Sequence, residues 1–172
     1  MGSQVGAGAA PAAPEFRTGI GYDSHRFGEG GPMRLGGVDV PADVHCAGHS
    51  DGDAVCHALT DAVLGAAGLG DIGELFPDTD PANKGRDSVE MLRAALALVA
   101  REGFRVVNVD ATVVAERPKI GPHRGAMRER LAAVFGIDAR AVGVKGKTNE
   151  RMGWVGRGEG LAVVAVATLA RG

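Results

Sequence analysis

The chain has 172 residues, a formal net charge of −2, 45% hydrophobic and 23% charged residues. That length suits one domain, the composition excludes whole-chain disorder, and the near-neutral charge supplies no basic field for a nucleic-acid backbone. No apolar run approaches the ~18 residues of a membrane span, and 4% aromatics argue against a base-stacking platform.

Residues 1–16 hold five Ala, three Gly, two Pro and a single charge, Glu15. They lack the basic and apolar regions of a signal peptide and the arginines of a transit peptide. They are expected to be a disordered extension or expression remnant, outside a single domain at residues 17–172. Thr18 to His25 reads as a short strand weakened by Gly19 and Gly21, and Met33 to Val40 as a hairpin or bulge around Gly36-Gly37. Asp53 to Gly65 is helical in pattern, with Ser50, Asp51 and Gly52 as cap chemistry. Gly68 to Pro81 should be a long surface loop. The next helix opens at Asp87 with Glu90 three residues later, a capping-box arrangement, and stops at Gly103.

The period then changes to two: Val107, Val109, Ala111, Val113 and Ala115 fall on one strand face, with Asn108, Asp110 and Thr112 opposite. A third helix is expected over His123 to Phe135, with Met127, Leu131 and Val134 inward and Gly136 at its end. Ala141 to Lys147 reads as a short strand and Thr148 to Gly158 as a glycine-punctuated loop. Leu161 to Leu169 is apolar on both faces, hence a central, covered strand. The order gives an α+β two-layer sandwich, one mixed sheet with helices on one side.

Two cysteines, Cys46 and Cys56, exclude a disulfide framework and suit reduced core thiols in a cytoplasm. The densest polar cluster lies in two pieces. On a strand, Asp23 and His25 (i, i+2) project to the same face. On a helix, Asp53, His57 and Asp61 recur at i, i+4 and i+8 along one side. A strand edge with Asp and His facing a helix with a second His offers three zinc ligands and an open fourth position, the pattern of catalytic zinc. Single histidines are more often ordinary hydrogen-bonded residues, and Asp53 also suits a helix N-terminus. Asp61 fits a structural or supporting role better than a fourth ligand. A lone GxG such as Gly19-Ile20-Gly21 does not make a phosphate loop, and no GxGxxG opens a helix.

The segments GIGYDSHRF, AGHSDGDAVCHALTDAVLGAAGLGDIGELFPDTDP, ERPKIGPH and GWVGRGEGLA, in this order, resemble the 2-C-methyl-D-erythritol 2,4-cyclodiphosphate synthase family from about Thr18 to Leu169. The resemblance implies a step of the non-mevalonate isoprenoid route: cyclisation of diphosphocytidyl methylerythritol 2-phosphate with release of CMP. It also implies a homotrimer around a three-fold axis with active sites between subunits. By the same resemblance Asp23, His25 and His57 hold one zinc per subunit, and Glu150 holds a second divalent ion, magnesium or manganese. His49 and Ser50 hold the substrate phosphate. Asp71, Ile72, Gly73, Phe76, Pro77, Asp78, Thr79 and Asp80 surround the methylerythritol unit. Ala115, Glu116, Arg117, Pro118, Lys119, Ile120 and Gly121 form the nucleotide pocket supplied by the adjacent subunit. Thr148 and Glu150 keep their family places, whereas Lys147 and Asn149 beside them depart from the family's threonines. Trp154, Arg157 and Glu159 fall near the trimer axis, where an isoprenoid diphosphate could meet Arg157. An intersubunit Arg157–Glu159 ion pair is the plainer alternative.

The chemistry agrees with His49 and Thr148 as donors to the transferring group, because the substrate's own 2-phosphate is the nucleophile and needs no strong base. Two other classes are a zinc hydrolase, with water in the open zinc position and a carboxylate such as Asp53 as base, and a non-catalytic isoprenoid- or nucleotide-binding trimer.

Overall fold

The computed structural model describes residues 13–172. In chain order its strands are β1 (Glu15–Glu29), β2 (Met33–Leu35), β3 (Val38–Val40), β4 (Val44–Cys46), β5 (Arg105–Val114), β6 (Val142–Lys147) and β7 (Gly160–Arg171). The helices are α1 (Ala54–Ala67), α2 (Ile72–Leu75), α3 (Ser88–Arg101), α4 (Arg124–Phe135) and α5 (Gly153–Gly156). The main sheet runs β4-β1-β7-β5-β6, antiparallel throughout except for the β5–β6 pair. A parallel pair needs a crossover, and α4 supplies it. The chain is thus α+β with a mixed sheet, as its pattern predicts.

One face of that sheet carries the core. α1 lies on β1 and β7, α3 packs on α1, and α4 packs on β6. Leu59, Leu64, Leu92, Leu131, Leu161 and Leu169 are fully buried between these layers. The other face is bare. Along β1 the even-numbered residues point away from the helices, leaving Phe16, Ile20 and Tyr22 61%, 70% and 56% exposed. Tyr22 pairs with Val164 of β7, itself 37% exposed. The central position expected for β7 is found, third of five strands, but its second face is not covered within one chain.

The hairpin expected at Gly36-Gly37 joins β2 to β3, with φ of +60° and +73°, the two positive values a two-residue turn of matching twist requires. Other elements differ from their sequence reading for local reasons. β1 is fifteen residues long, because β7 offers partners from Arg171, opposite Glu15, to Gly160, opposite Arg26. Glu15 and Phe16 therefore belong to the sheet and not to an N-terminal extension; residues 1–12 of that expected extension lie outside the described residues. Helix α1 is capped by Asp53 itself, whose carboxylate accepts from the N–H groups of Val55 and Cys56. A bulge at Val106/Asn108 moves Val106, not Val107, onto the buried face of β5. In α4, Ala132 is buried while Val134 is only half-buried. The two expected loops each hold one helical turn, α2 and α5, and β4 is too short for its alternation to be read.

Candidate functional site

Small residues bring the two polar segments together. A Cβ on Gly19 would lie 2.2 Å from the Ala62 carbonyl oxygen, and one on Gly21 would lie 1.8 Å from that of Ala58. Helix α1 therefore rests directly on the backbone of β1, with alanines on its own side of the contact. Continuing along the same strand face, positions 23 and 25 emerge beside His57, the residue next to Ala58. The glycines that weaken the strand pattern are what let the helix close.

Asp23, His25 and His57 each direct one ligand atom into a common space, all within 4.8 Å of one another. His57 Nδ1 lies 3.3 Å and His25 Nε2 3.6 Å from Asp23 Oδ2. Among the described residues, Asp23 Oδ2 and His25 Nε2 are the buried side-chain atoms that lack a hydrogen-bond partner. Buried polar atoms are rarely left so. The other nitrogen of His25, Nδ1, sits 2.9 Å from the Ser24 carbonyl. A carbonyl only accepts, so Nδ1 carries the proton and the Nε2 lone pair faces Asp23. Two imidazoles and a carboxylate with unpartnered lone pairs fit a divalent metal with a position to spare. Burial opposes protonation of His57, but the carboxylates of Asp23, Asp53 and Asp51 together outweigh it and raise the His57 pKa above its usual value.

A cleft of 360 Å³ opens onto this triad, walled by Ser50, Ile72, Gly73, Phe76, Asp78 and the exposed His49. Asp71 and Asp80 serve as caps instead: Asp71 accepts from Glu74 N–H and Asp80 from Ala82 N–H. Pro77 and Thr79 do not line the cleft; the Pro77 carbonyl accepts from Asn83 Nδ2 at 3.0 Å. Asp61 holds the Ile72 N–H at 2.8 Å, fixing the start of α2, and burial raises its pKa. It is not among the residues whose ligand atoms converge, and its carboxylate supports the start of α2. Asp53 is fully buried, and its carboxylate takes the N–H groups of Gly36, Gly37, Val55 and Cys56. A fully buried carboxylate engaged by four backbone donors is placed as a cap, which removes Asp53 as the base of the hydrolase alternative.

A second cleft of 270 Å³ is lined by Ala115, Pro118, Lys119, Ile120, Gly121, Lys147 and Thr148. The first cleft shares no lining residue with it. Glu116 and Arg117 point elsewhere. Arg117 pairs with Asp43 at 2.6 Å. Glu116 Oε1 accepts both Asn149 N–H and Arg151 N–H at 3.1 Å. Between those donors Glu150 and Arg151 have φ of +50° and +60°, a region that non-glycine residues seldom occupy. Thr148 Oγ1 donates to Glu150 Oε1 at 2.9 Å, and Asn149 Nδ2 donates to the Met152 carbonyl. Trp154, 38% exposed, and Glu159 line a small hollow beside His25. Arg157 pairs with Glu159 of the same chain at 2.5 Å, so that ion pair does not need a second subunit.

Sequence reasoning missed Ser88, which is fully buried at the start of α3 with its Oγ 2.8 Å from His57 Nε2. It also missed Arg86, stacked over Phe76 at 4.6 Å, and Asn83, buried in the cleft wall. His57 lies too far from Ser88 in sequence for spacing to reveal that pair, and the partners of Asn83 and Arg86 fall in irregular chain where no period places side chains.

The YgbB family model matches residues 16–170 of this chain. Over 154 residues the chain is 71% identical to the 2-C-methyl-D-erythritol 2,4-cyclodiphosphate synthase of Gemmatimonas aurantiaca, covering 90% of this chain and 93% of that protein. Among solved structures it superposes on the bifunctional IspDF from Campylobacter jejuni with a TM-score of 0.89 at 43% identity. That match covers 93% of this chain but only 43% of the bifunctional one. It superposes on a 2C-methyl-D-erythritol-2,4-cyclodiphosphate synthase in its CDP-bound form with a TM-score of 0.82 at 42% identity, covering 89% and 99% of the two chains.

Proposed function

The chain belongs to the YgbB family, and we propose that it converts 4-diphosphocytidyl-2-C-methyl-D-erythritol 2-phosphate to 2-C-methyl-D-erythritol 2,4-cyclodiphosphate, releasing CMP in the non-mevalonate isoprenoid route. The observation that carries this reading is 71% identity to a synthase of that name along nearly its whole length. The unpartnered Asp23–His25–His57 set at the floor of a cleft supports it.

The 2-phosphate of the substrate is already anionic and is its own nucleophile, so the protein's task is to bring two phosphates into line and offset their repulsion. Zinc held by Asp23, His25 and His57 would supply Lewis-acid polarisation of a phosphoryl oxygen, and magnesium or manganese on Glu150 would neutralise the diphosphate. One carboxylate beside substrate phosphates is a usual magnesium arrangement, and Glu150 keeps one oxygen clear of Thr148. His49 and Ser50, on the cleft wall, hydrogen-bond the transferring phosphate; Thr148 donates to it from the second cleft once its hydroxyl is released from Glu150. Ile72, Gly73, Phe76 and Asp78 hold the methylerythritol unit. Lys119, with Ala115, Pro118, Ile120 and Gly121, receives the cytidine nucleotide, and Lys147 and Asn149 flank it. Glu116 contributes by fixing the Asn149–Arg151 backbone.

Two clefts without a common wall suit a site completed by a second copy. The bare face of β1 and β7 offers the apolar surface for it, and cyclic closure would leave none of it exposed. We read the assembly as a homotrimer of roughly 52 kDa, three times the 17.5-kDa chain. In it the Trp154–Glu159 turn would face the axis, with Arg157 available to an isoprenoid diphosphate once released from Glu159. Two unpaired buried cysteines suit a reducing cytoplasm. No helix among the described residues is long and apolar enough to cross a membrane.

Incubation of the purified protein with the cytidine substrate and zinc tests the reading. Cyclic diphosphate plus CMP is expected. An open-chain bisphosphate plus CMP would mean hydrolysis, and ligand binding that survives zinc removal, with no turnover even when zinc is supplied, would mean a binding protein.

A further inference from the structure

From the hydrogen bonds behind His57 we infer that Ser88 and Asp51 fix the tautomer of His57, making Ser88 a positioning residue for the metal centre. Ser88 Oγ lies 2.8 Å from His57 Nε2 on one side and in short contact with Asp51 Oδ1 on the other. The Asp51 carboxylate is an acceptor on every side. Its Oδ2 takes the Ser88 N–H at 3.2 Å and faces the Arg34 guanidinium at 3.9 Å, and its Oδ1 takes the Asp53 N–H at 3.3 Å. The single hydroxyl proton of Ser88 is therefore committed to Asp51, and its oxygen can only accept from His57.

That choice propagates through the ring. Nε2 of His57 must carry the proton, so Nδ1 presents its lone pair toward Asp23 Oδ2. The relay Asp51–Ser88–His57 acts behind one ligand as the Ser24 carbonyl acts behind His25: each fixes a proton on the outer nitrogen. Ser88 is fully buried, so water cannot substitute for its hydroxyl. Ser50 Oγ, 3.0 Å from the same Nε2, already accepts the Gly52 N–H and keeps its own proton to donate into the cleft.

The inference rests on Asp23, His25 and His57 being the zinc ligands, and Ser88→Ala tests it. Alanine at this first-turn position keeps the Ser88 backbone bond to Asp51 and removes the hydroxyl that accepts from His57 and donates to Asp51, leaving the longer contact to the cleft-facing Ser50 hydroxyl as the one side-chain oxygen beside Nε2. Competition with a coloured chelator on substrate-free protein should show zinc affinity weakened about 10- to 100-fold, the usual cost of losing such a partner. The unfolding temperature measured with chelator present should stay near that of the parent. Nitrogen-15 NMR of the zinc-loaded parent should show a protonated, slowly exchanging His57 Nε2, whose proton exchanges fast in the variant. Unchanged zinc affinity in the variant, or a proton on Nδ1, would overturn the relay. So would a loss of affinity matched by a collapse of the metal-free fold. Failure of the parent itself to take zinc would instead sink the ligand assignment.

Discussion

The end of β1 around Asp23, His25 and His57 and the turn at Thr148–Arg151, to which the proposed function assigns the two halves of the chemistry, are built in opposite ways. At the metal end the backbone is relaxed and the packing is tight: α1 sits on two glycines, and each histidine has its outer nitrogen engaged. At the turn the packing is slight and the backbone is strained, with two consecutive non-glycine residues at positive φ in an exposed loop. One oxygen of Glu116 holds it. Shape comes from close packing in the first case and from a few hydrogen bonds in the second. Under the proposed function the rigid pocket would select a cation, and the lightly held turn would follow a phosphate as it moves between partners.

The largest effect should come from filling the contact under the metal end. Gly21→Ala places a methyl 1.8 Å from the Ala58 carbonyl and must push α1 away from β1. Zinc content and turnover should both fall below detection, with a stability loss of roughly 1–3 kcal/mol or more by thermal unfolding. Normal zinc content in Gly21→Ala would show that the helix can shift without moving His57. The turn should respond less. Glu116→Ala removes the acceptor of two N–H groups and should lower kcat/KM roughly 10- to 100-fold, the scale of a small misplacement of reacting groups. Glu116→Gln keeps one oxygen that can accept both N–H groups and should retain most activity. Hydrogen exchange should find the Asn149 and Arg151 amides protected in the parent and the Gln variant but not in the Ala variant. Equal loss in both variants would mean that the charge, not the acceptor, matters. The smallest effect serves as a control: a methyl at Gly65, inside the same helix α1, meets nothing within 4 Å. Gly65→Ala should stabilise by roughly 0.5–1 kcal/mol without touching zinc content, because only helix entropy changes. A loss of zinc there would mean that α1 tolerates no change.

What could be read from the sequence follows the same division. Asp23 and His25 were legible because a strand puts i and i+2 on one face, and His57 because a helix facing that strand could supply the third group. The same helical spacing misplaces Asp53. It aligns with His57 on paper, but as the cap it has non-helical dihedrals of −73° and 85°, and its carboxylate turns back onto backbone N–H groups. Ser88 could not be found, and the family resemblance puts Glu116 in the nucleotide pocket and not beneath the turn, since each acts on residues more than thirty positions away. The bulge near Val107 defeats strict alternation only at the start of β5, where it puts Val106 on the buried face, while Val109, Ala111, Val113 and Ala115 keep the face expected of them. The apolar pattern of Leu161 to Leu169 was right about both faces being apolar. It could not distinguish burial within the chain from a face left for a second copy.

Subunit mixing addresses the division of labour directly. His57→Ala leaves the Lys119 cleft intact and Lys119→Ala leaves the metal end intact, so each protein alone should be inactive. If the two halves meet across subunits, mixing them under conditions of exchange restores part of the activity, because some interfaces then pair an intact metal end with an intact nucleotide cleft. No recovery despite exchange shown by mass spectrometry, or an active monomer by light scattering, would contradict the shared site.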